Sequence, residues 1–95
     1  MKEPCVYMMT SGRNGTLYVG VTSDLIARVW QHRAGHVDGF TKKHGVTQLV
    51  WFEPHETMCL AIGREKLIKN WKRAWKIDLI QASNPYWLDL YSGLI

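Results

Sequence analysis

The apolar positions of this chain change period along its length, and each change marks an element. Cys5 to Thr10 alternates loosely and reads as a strand. Ser11-Gly12-Arg13-Asn14-Gly15 is a turn cluster, with Asn14-Gly15 its strongest reversal signal. Thr16 to Val21 is β-branched and aromatic, so it returns as an antiparallel partner. With Tyr7 opposite Tyr18 the reversal centres on Gly12-Arg13. The two hydroxyls then stand side by side on one face, and Gly20 leaves open space next to them.

Thr22-Ser23-Asp24 offers side-chain oxygens to the orphan amides of a helix start. Leu25, Ile26, Val29 and Trp30 form its apolar side, and Gly35 stops it. Arg28 and His32, spaced i, i+4, meet on one face that flanks the stripe. His36 to Gly45 has the composition of an exposed basic loop or short helix, and Val46 to Glu53 is a third strand ended by Pro54.

From Glu56 to Ile80 the period is helical. Leu60, Leu67, Ile68, Trp71, Trp75 and Leu79 make one stripe, with Lys66, Lys69, Lys72, Arg73 and Lys76 off it. Ile62 and Ile80 fall on the wrong side and Arg64 falls inside, so the pattern predicts two helices with a break near residues 70–74. Asn84-Pro85 is a turn, and Tyr86 to Tyr91 is an aromatic tail expected to dock on the core. No repeat or second domain interrupts this order. The expectation is one α/β (α+β) domain over residues 1–95, with a three-stranded antiparallel sheet flanked by helices.

Composition narrows the class. A 46% hydrophobic, 21% charged chain of 95 residues can bury one modest core, and disorder is excluded. A net charge of +4 favours polyanionic partners. Cys5 and Cys59 lie far apart and outside any Cys-x-x-Cys pair, which reads as two reduced, mostly buried thiols. With no signal segment at Met1-Lys2-Glu3-Pro4 and no run that spans a bilayer, the expected location is cytoplasmic. His36, His44, His55 and Cys59 lack ligand spacing, so zinc is not expected.

The candidate chemistry is dense near the N-terminus, and each part has a bland counterpart. Tyr7 and Tyr18 are either site phenols or cross-strand packing. Arg28 is either a phosphate fork or a surface cation. His32 either orients or deprotonates a tyrosine, or interacts favourably with the helix dipole. Lys69, Lys72, Arg73 and Lys76, with Lys42 and Lys43 on the preceding loop, suggest a face that tracks DNA phosphates and loses affinity steeply with salt. A basic Trp-bearing helix also suits a membrane surface, a reading ranked far below.

The tripeptides Cys5-Val6-Tyr7 and Tyr18-Val19-Gly20, with ten residues between the tyrosines, resemble the signature of the GIY-YIG nuclease family. Arg28, His32, Glu65 in Arg64-Glu65 and Asn84 in Asn84-Pro85-Tyr86-Trp87 follow in that family's order, and the likeness is greatest to its small stand-alone bacterial members. Cys5 departs from the name-giving glycine, while Val6 and Val19 replace isoleucines. The resemblance implies a GIY-YIG endonuclease-like fold and hydrolysis of DNA phosphodiesters. It also implies one divalent ion, Mg²⁺ or Mn²⁺, on the carboxylate of Glu65. Tyr7, Tyr18, Arg28, His32, Glu65 and Asn84 become the catalytic set, with Asn84 a support within it. Without the resemblance, Glu65 reads as an exposed partner of Lys69. The implied substrate is branched, single-stranded or weakly sequence-specific DNA, cut by a monomer that acts alone or with a protein partner in repair or recombination. The competing reading is a nucleic-acid-binding module of the same fold with little or no catalysis.

Overall fold

The structure is a computed structural model that describes residues 2–36 and 39–95; Val37 and Asp38, in the predicted basic loop, and Met1 lie outside the described residues. Three strands, β1 (Cys5–Thr10), β2 (Leu17–Thr22) and β3 (Gln48–Pro54), form one antiparallel sheet in the order β2-β1-β3. Among the described residues four helices accompany them: α1 (Leu25–Arg33), the short α2 (Gly39–Lys43), α3 (Met58–Lys69) and α4 (Arg73–Ser83). A 3-10 turn at Leu90–Gly93 follows. The expected three-stranded antiparallel α+β architecture is therefore present.

β1 is the central strand and every one of its six residues is buried. Its period-two alternation divides the interior into two layers. Val6 and Met8 face Val19, Ala61, Ile68 and Ile80 on the side of α3 and α4. Cys5, Tyr7 and Met9 face Leu25, Val29 and Leu49 on the side of α1. A bulge between Met8 and Met9 leaves Val50 without a partner in the β1–β3 register.

The hairpin register differs from expectation by two residues. Tyr7 pairs with Gly20 and Tyr18 with Met9. The reversal sits one residue later than Gly12-Arg13, because Gly15 N–H donates to Gly12 C=O at 2.9 Å and Asn14 takes a φ of 56°. That positive φ belongs to the third turn position, where asparagine is tolerated. A two-residue slip keeps each side chain on its face, so the tyrosines still share one, as diagonal neighbours.

Other expectations are corrected by the packing. The buried stripe of α1 is Leu25, Val29 and His32, so His32 continues the stripe, while Trp30 is 52% exposed. In α3 the buried stripe is Ala61, Glu65 and Ile68, whereas Leu60 and Leu67 are more than half exposed. The chain breaks at Asn70–Lys72, within the predicted window, and α4 restarts on its own axis, so one continuous stripe does not carry through. Trp75 is consequently half exposed. Cys59 is exposed on α3 rather than buried, and both cysteines are free. In the tail Trp87 is buried but Tyr86 is not.

Gly20 is not open space. A Cβ there would come within 2.5 Å of Tyr7 Cζ and of its hydroxyl, because the Tyr7 ring occupies the room glycine leaves. Gly20→Ala is expected to cost about 1–3 kcal/mol by overpacking a buried ring, read as a lower urea midpoint; wild-type stability in that variant would contradict the packing. Burial also pushes the Cys5 thiol up to about 11 and the Tyr7 phenol up to about 12. In the unfolded chain these groups release their protons near 9.0 and 10.0. Between the two values only the folded state still holds the proton, so raising the pH favours unfolding. Stability should be unaffected by these groups below about pH 9 and then fall, by up to roughly 3 kcal/mol for each group. Urea titrations across this range check it, with Cys5→Ala delaying the onset; a flat response to pH 11 would contradict it.

Candidate active site

Tyr7, Tyr18, Arg28 and His32 converge on the α1 side of the sheet. The Tyr7 hydroxyl and His32 Nε2 are 2.9 Å apart in a buried hydrogen bond. The register creates this contact: only a strand residue without a side chain lets the Tyr7 ring lie across β2, and only the third position of the Leu25–Val29–His32 stripe faces it. The imidazole meets both phenol rings edge-on, with centroids 5.7 Å from Tyr7 and 5.1 Å from Tyr18. The two tyrosine rings are 6.3 Å apart and tilted by 42°.

Arg28 comes from the next face of α1. The neighbouring Tyr7 hydroxyl is the main influence holding its proton above the ordinary arginine range, against burial, with Tyr18 assisting. The same contact pulls the Tyr7 phenol down, but burial is the larger influence, and the charges of Tyr18 and Glu65 also push it up. Tyr7 is therefore a neutral phenol at ordinary pH. The Arg28 Nη1 donates to Gln31 Oε1 at 3.3 Å. Both residues border an open cleft of about 340 Å³ whose other walls are Val21, Thr22, Ser23, Asp24 and Ala27. Gln31 escaped the sequence reading; its i, i+3 spacing from Arg28 is the signal that marks it.

Glu65 lies in the other layer. It sits between Ala61 and Ile68 on the buried stripe of α3, and α3 lies against β2 and β1. Its side chain is only 12% exposed, with Oε2 3.1 Å from Lys69 Nζ. The Lys69 pairing is real, but a carboxylate sunk into a core-facing stripe is not an ordinary surface glutamate. Among the described residues no three His, Cys, Asp or Glu side chains gather closely enough to hold a metal ion. What Glu65 offers is one carboxylate, the donor set that suits Mg²⁺ when waters and phosphate oxygens complete the shell.

Asn84 stands apart. It is buried, and its amide donates to Val50 C=O at 3.1 Å and Leu88 C=O at 2.9 Å while its Oδ1 accepts from Leu88 N–H. These bonds tie β3 to the tail. None runs to Tyr7, Tyr18, Arg28, His32 or Glu65.

The basic residues also divide. Arg73 donates to the carbonyls of Asn14 and Gly15 at 2.8 and 2.7 Å, clamping the hairpin turn to α4. Lys76 Nζ reaches Lys69 C=O at 3.5 Å, and Lys72 Nζ lies 4.8 Å from the centre of the Trp75 ring. Lys42 and Lys43 are exposed on α2, with the Lys42 stem beside Gly35.

Comparison with known proteins gives the chain a family and a fold. The GIY-YIG catalytic domain pattern matches residues 3–78. UPF0213 proteins of Staphylococcus aureus strains Mu50 and N315 are 38% identical over 68 residues, covering 72% of this chain and 83% of theirs. The solution structure of a UPF0213 protein from Bacillus halodurans shares the fold, with a TM-score of 0.56 over 90% of each chain at 23% identity. The pattern spans both strands of the tyrosine hairpin, α1 and all of α3, the elements that carry Tyr7, Tyr18, Arg28, His32 and Glu65. This chain belongs to the GIY-YIG catalytic domain family.

Proposed function

We propose that this protein is a divalent-metal-dependent endonuclease that hydrolyses DNA phosphodiester bonds, with residues 1–95 forming one catalytic domain. The family is one of endonucleases, which makes phosphodiester cleavage the activity to account for. The observation that carries the reading is the buried 2.9 Å contact between the Tyr7 hydroxyl and His32 Nε2, with Arg28 and the charge of Glu65 acting on the same phenol. A packing tyrosine needs neither a buried imidazole nor a guanidinium at its oxygen.

The roles follow from the electrostatics. Arg28, at the wall of the open cleft, presents its fork to a phosphate. Tyr7, held neutral by burial, cannot wait as a phenolate. It takes the proton of the attacking water only as it passes its own to Nε2 of His32, so charge never rests on the buried oxygen alone. Tyr18 hydrogen-bonds the nucleophile or the phosphate. Glu65 would hold Mg²⁺ or Mn²⁺, which supplies charge stabilisation at the phosphoryl and leaving oxygens. Asn84 supports the site indirectly, by fixing β3 to the tail.

A second reading has one observation in its favour: Lys69 already engages Glu65, the carboxylate that a metal ion would need. The two part on a direct assay. Purified protein is incubated with branched, single-stranded and duplex DNA, with and without Mg²⁺. The nuclease reading expects metal-dependent cleavage that Glu65→Ala abolishes and Tyr7→Phe lowers by about 10²–10⁴-fold, the usual span of general acid–base catalysis. Full activity in both Tyr7→Phe and Tyr18→Phe would remove the tyrosines from the mechanism. Binding without cleavage by wild-type protein and Glu65→Ala alike favours the module. No helix among the described residues is long and apolar enough to cross a membrane. The proposed setting is a cytoplasmic monomer acting on repair or recombination intermediates, alone or with a protein partner.

A further inference from the structure

The corner between α3 and α4 carries a feature that the candidate active site does not use. Trp71 and Trp75 meet edge to face, with ring centroids 6.2 Å apart and planes at 83°. Beside them opens a groove of about 380 Å³ walled by Trp71, Trp75, Asp78, Leu79 and Ala82. Trp75 keeps half of its surface in water. A half-exposed indole at the mouth of a groove offers a flat π-face, and the cation of Lys72 over it is held only weakly at an exposed site.

Charge identifies the occupant. Residues 64–76 hold six of the chain's twelve lysines and arginines and a single acid, Glu65. Lys69, Lys72 and Lys76 flank the aromatic corner, so a polyanion is drawn to it. Yet the groove itself contains the carboxylate of Asp78, which repels phosphate. Anionic backbone on the rim and an uncharged planar group in the slot is the division that a single nucleic acid strand makes and a closed duplex does not. Asp78 adds a preference. A carboxylate accepts hydrogen bonds, so it favours a base with an exocyclic amine, such as cytosine through N4, over thymine, which presents a carbonyl there.

We propose that the Trp71–Trp75–Asp78 groove is a docking slot for one unpaired base of a DNA strand, stacked on Trp75, with preference for an amine-bearing base. The proposal builds on the nuclease reading by naming its substrate class. Glu65 bonds Lys69, and Lys76 reaches the Lys69 carbonyl, so the slot's lysines adjoin the site at which cleavage is proposed.

The test is anisotropy of labelled oligo-dC and oligo-dT of about a dozen nucleotides, and of a duplex of the same length, with chelator in place of metal. Cleavage is scored separately with Mg²⁺, so failure to cut counts against the nuclease reading and not against the slot. Tighter binding of oligo-dC than oligo-dT is expected. Trp75→Ala should weaken single-strand binding roughly ten- to a hundredfold, the effect of losing one stacked base, and change duplex binding little. Trp75→Phe, which keeps a ring, should retain most of the affinity. Equal losses on single strand and duplex would overturn the slot. Unchanged single-strand binding by Trp75→Ala would overturn it as well, and would leave the patch to a protein partner. Asp78→Asn should erase the dC-over-dT difference; a preference that survives removes the carboxylate's role.

Discussion

The Tyr7 ring lies where the side chain of residue 20 would be, and its hydroxyl ends on a buried imidazole 25 residues along the chain. That one contact constrains most of what surrounds it. It requires a glycine opposite the tyrosine, so it is tied to the hairpin register. It requires His32 to lie on the inner stripe of α1, and so sets how that helix docks. It also puts a polar oxygen into a layer otherwise made of Cys5, Met9, Leu25, Val29 and Leu49. Such an oxygen is costly to leave unpaired, and here the imidazole satisfies it. The same burial that makes the packing work holds the phenol neutral, and this decides what chemistry Tyr7 can do.

Much of the fold was legible because its signals are local. Asp24 caps α1 through the Ala27 amide, Gly35 adopts a positive φ just past its end, and the α3–α4 break falls where the hydrophobic pattern lost phase. The hairpin register was not legible to within two residues. Its deciding feature is the positive φ of Asn14, and the reading assumed instead that equivalent tyrosines face one another. The α3 stripe was misread for another reason. Ala61 and Glu65 are poor hydrophobic markers, yet they face inward, while Leu60 and Leu67 face water.

The site was legible in identity more than in geometry. Sequence spacing supplied Tyr7, Tyr18, Arg28 and His32, which the fold brings together. It could not supply the fact that Glu65 arrives from the opposite layer, since that depends on how α3 crosses β2 and β1. Nor could it divide the basic residues by task. Arg73 clamps the hairpin turn and Lys69 neutralises Glu65, while Lys72 rests only loosely over an exposed indole. A charge count sees equal cations; only the partners of each show which are committed to the scaffold.

Tyr7 is a buried neutral phenol held on His32, and the chemistry of the site turns on that state. Carbon NMR of protein labelled at the tyrosine ring tests it most directly, with the Tyr7 signal assigned by its absence in Tyr7→Phe. This signal is expected to stay in its neutral position well past the ordinary tyrosine range and to titrate only towards pH 12 or when the fold itself gives way. Titration in the folded protein at the ordinary value near 10 would contradict it.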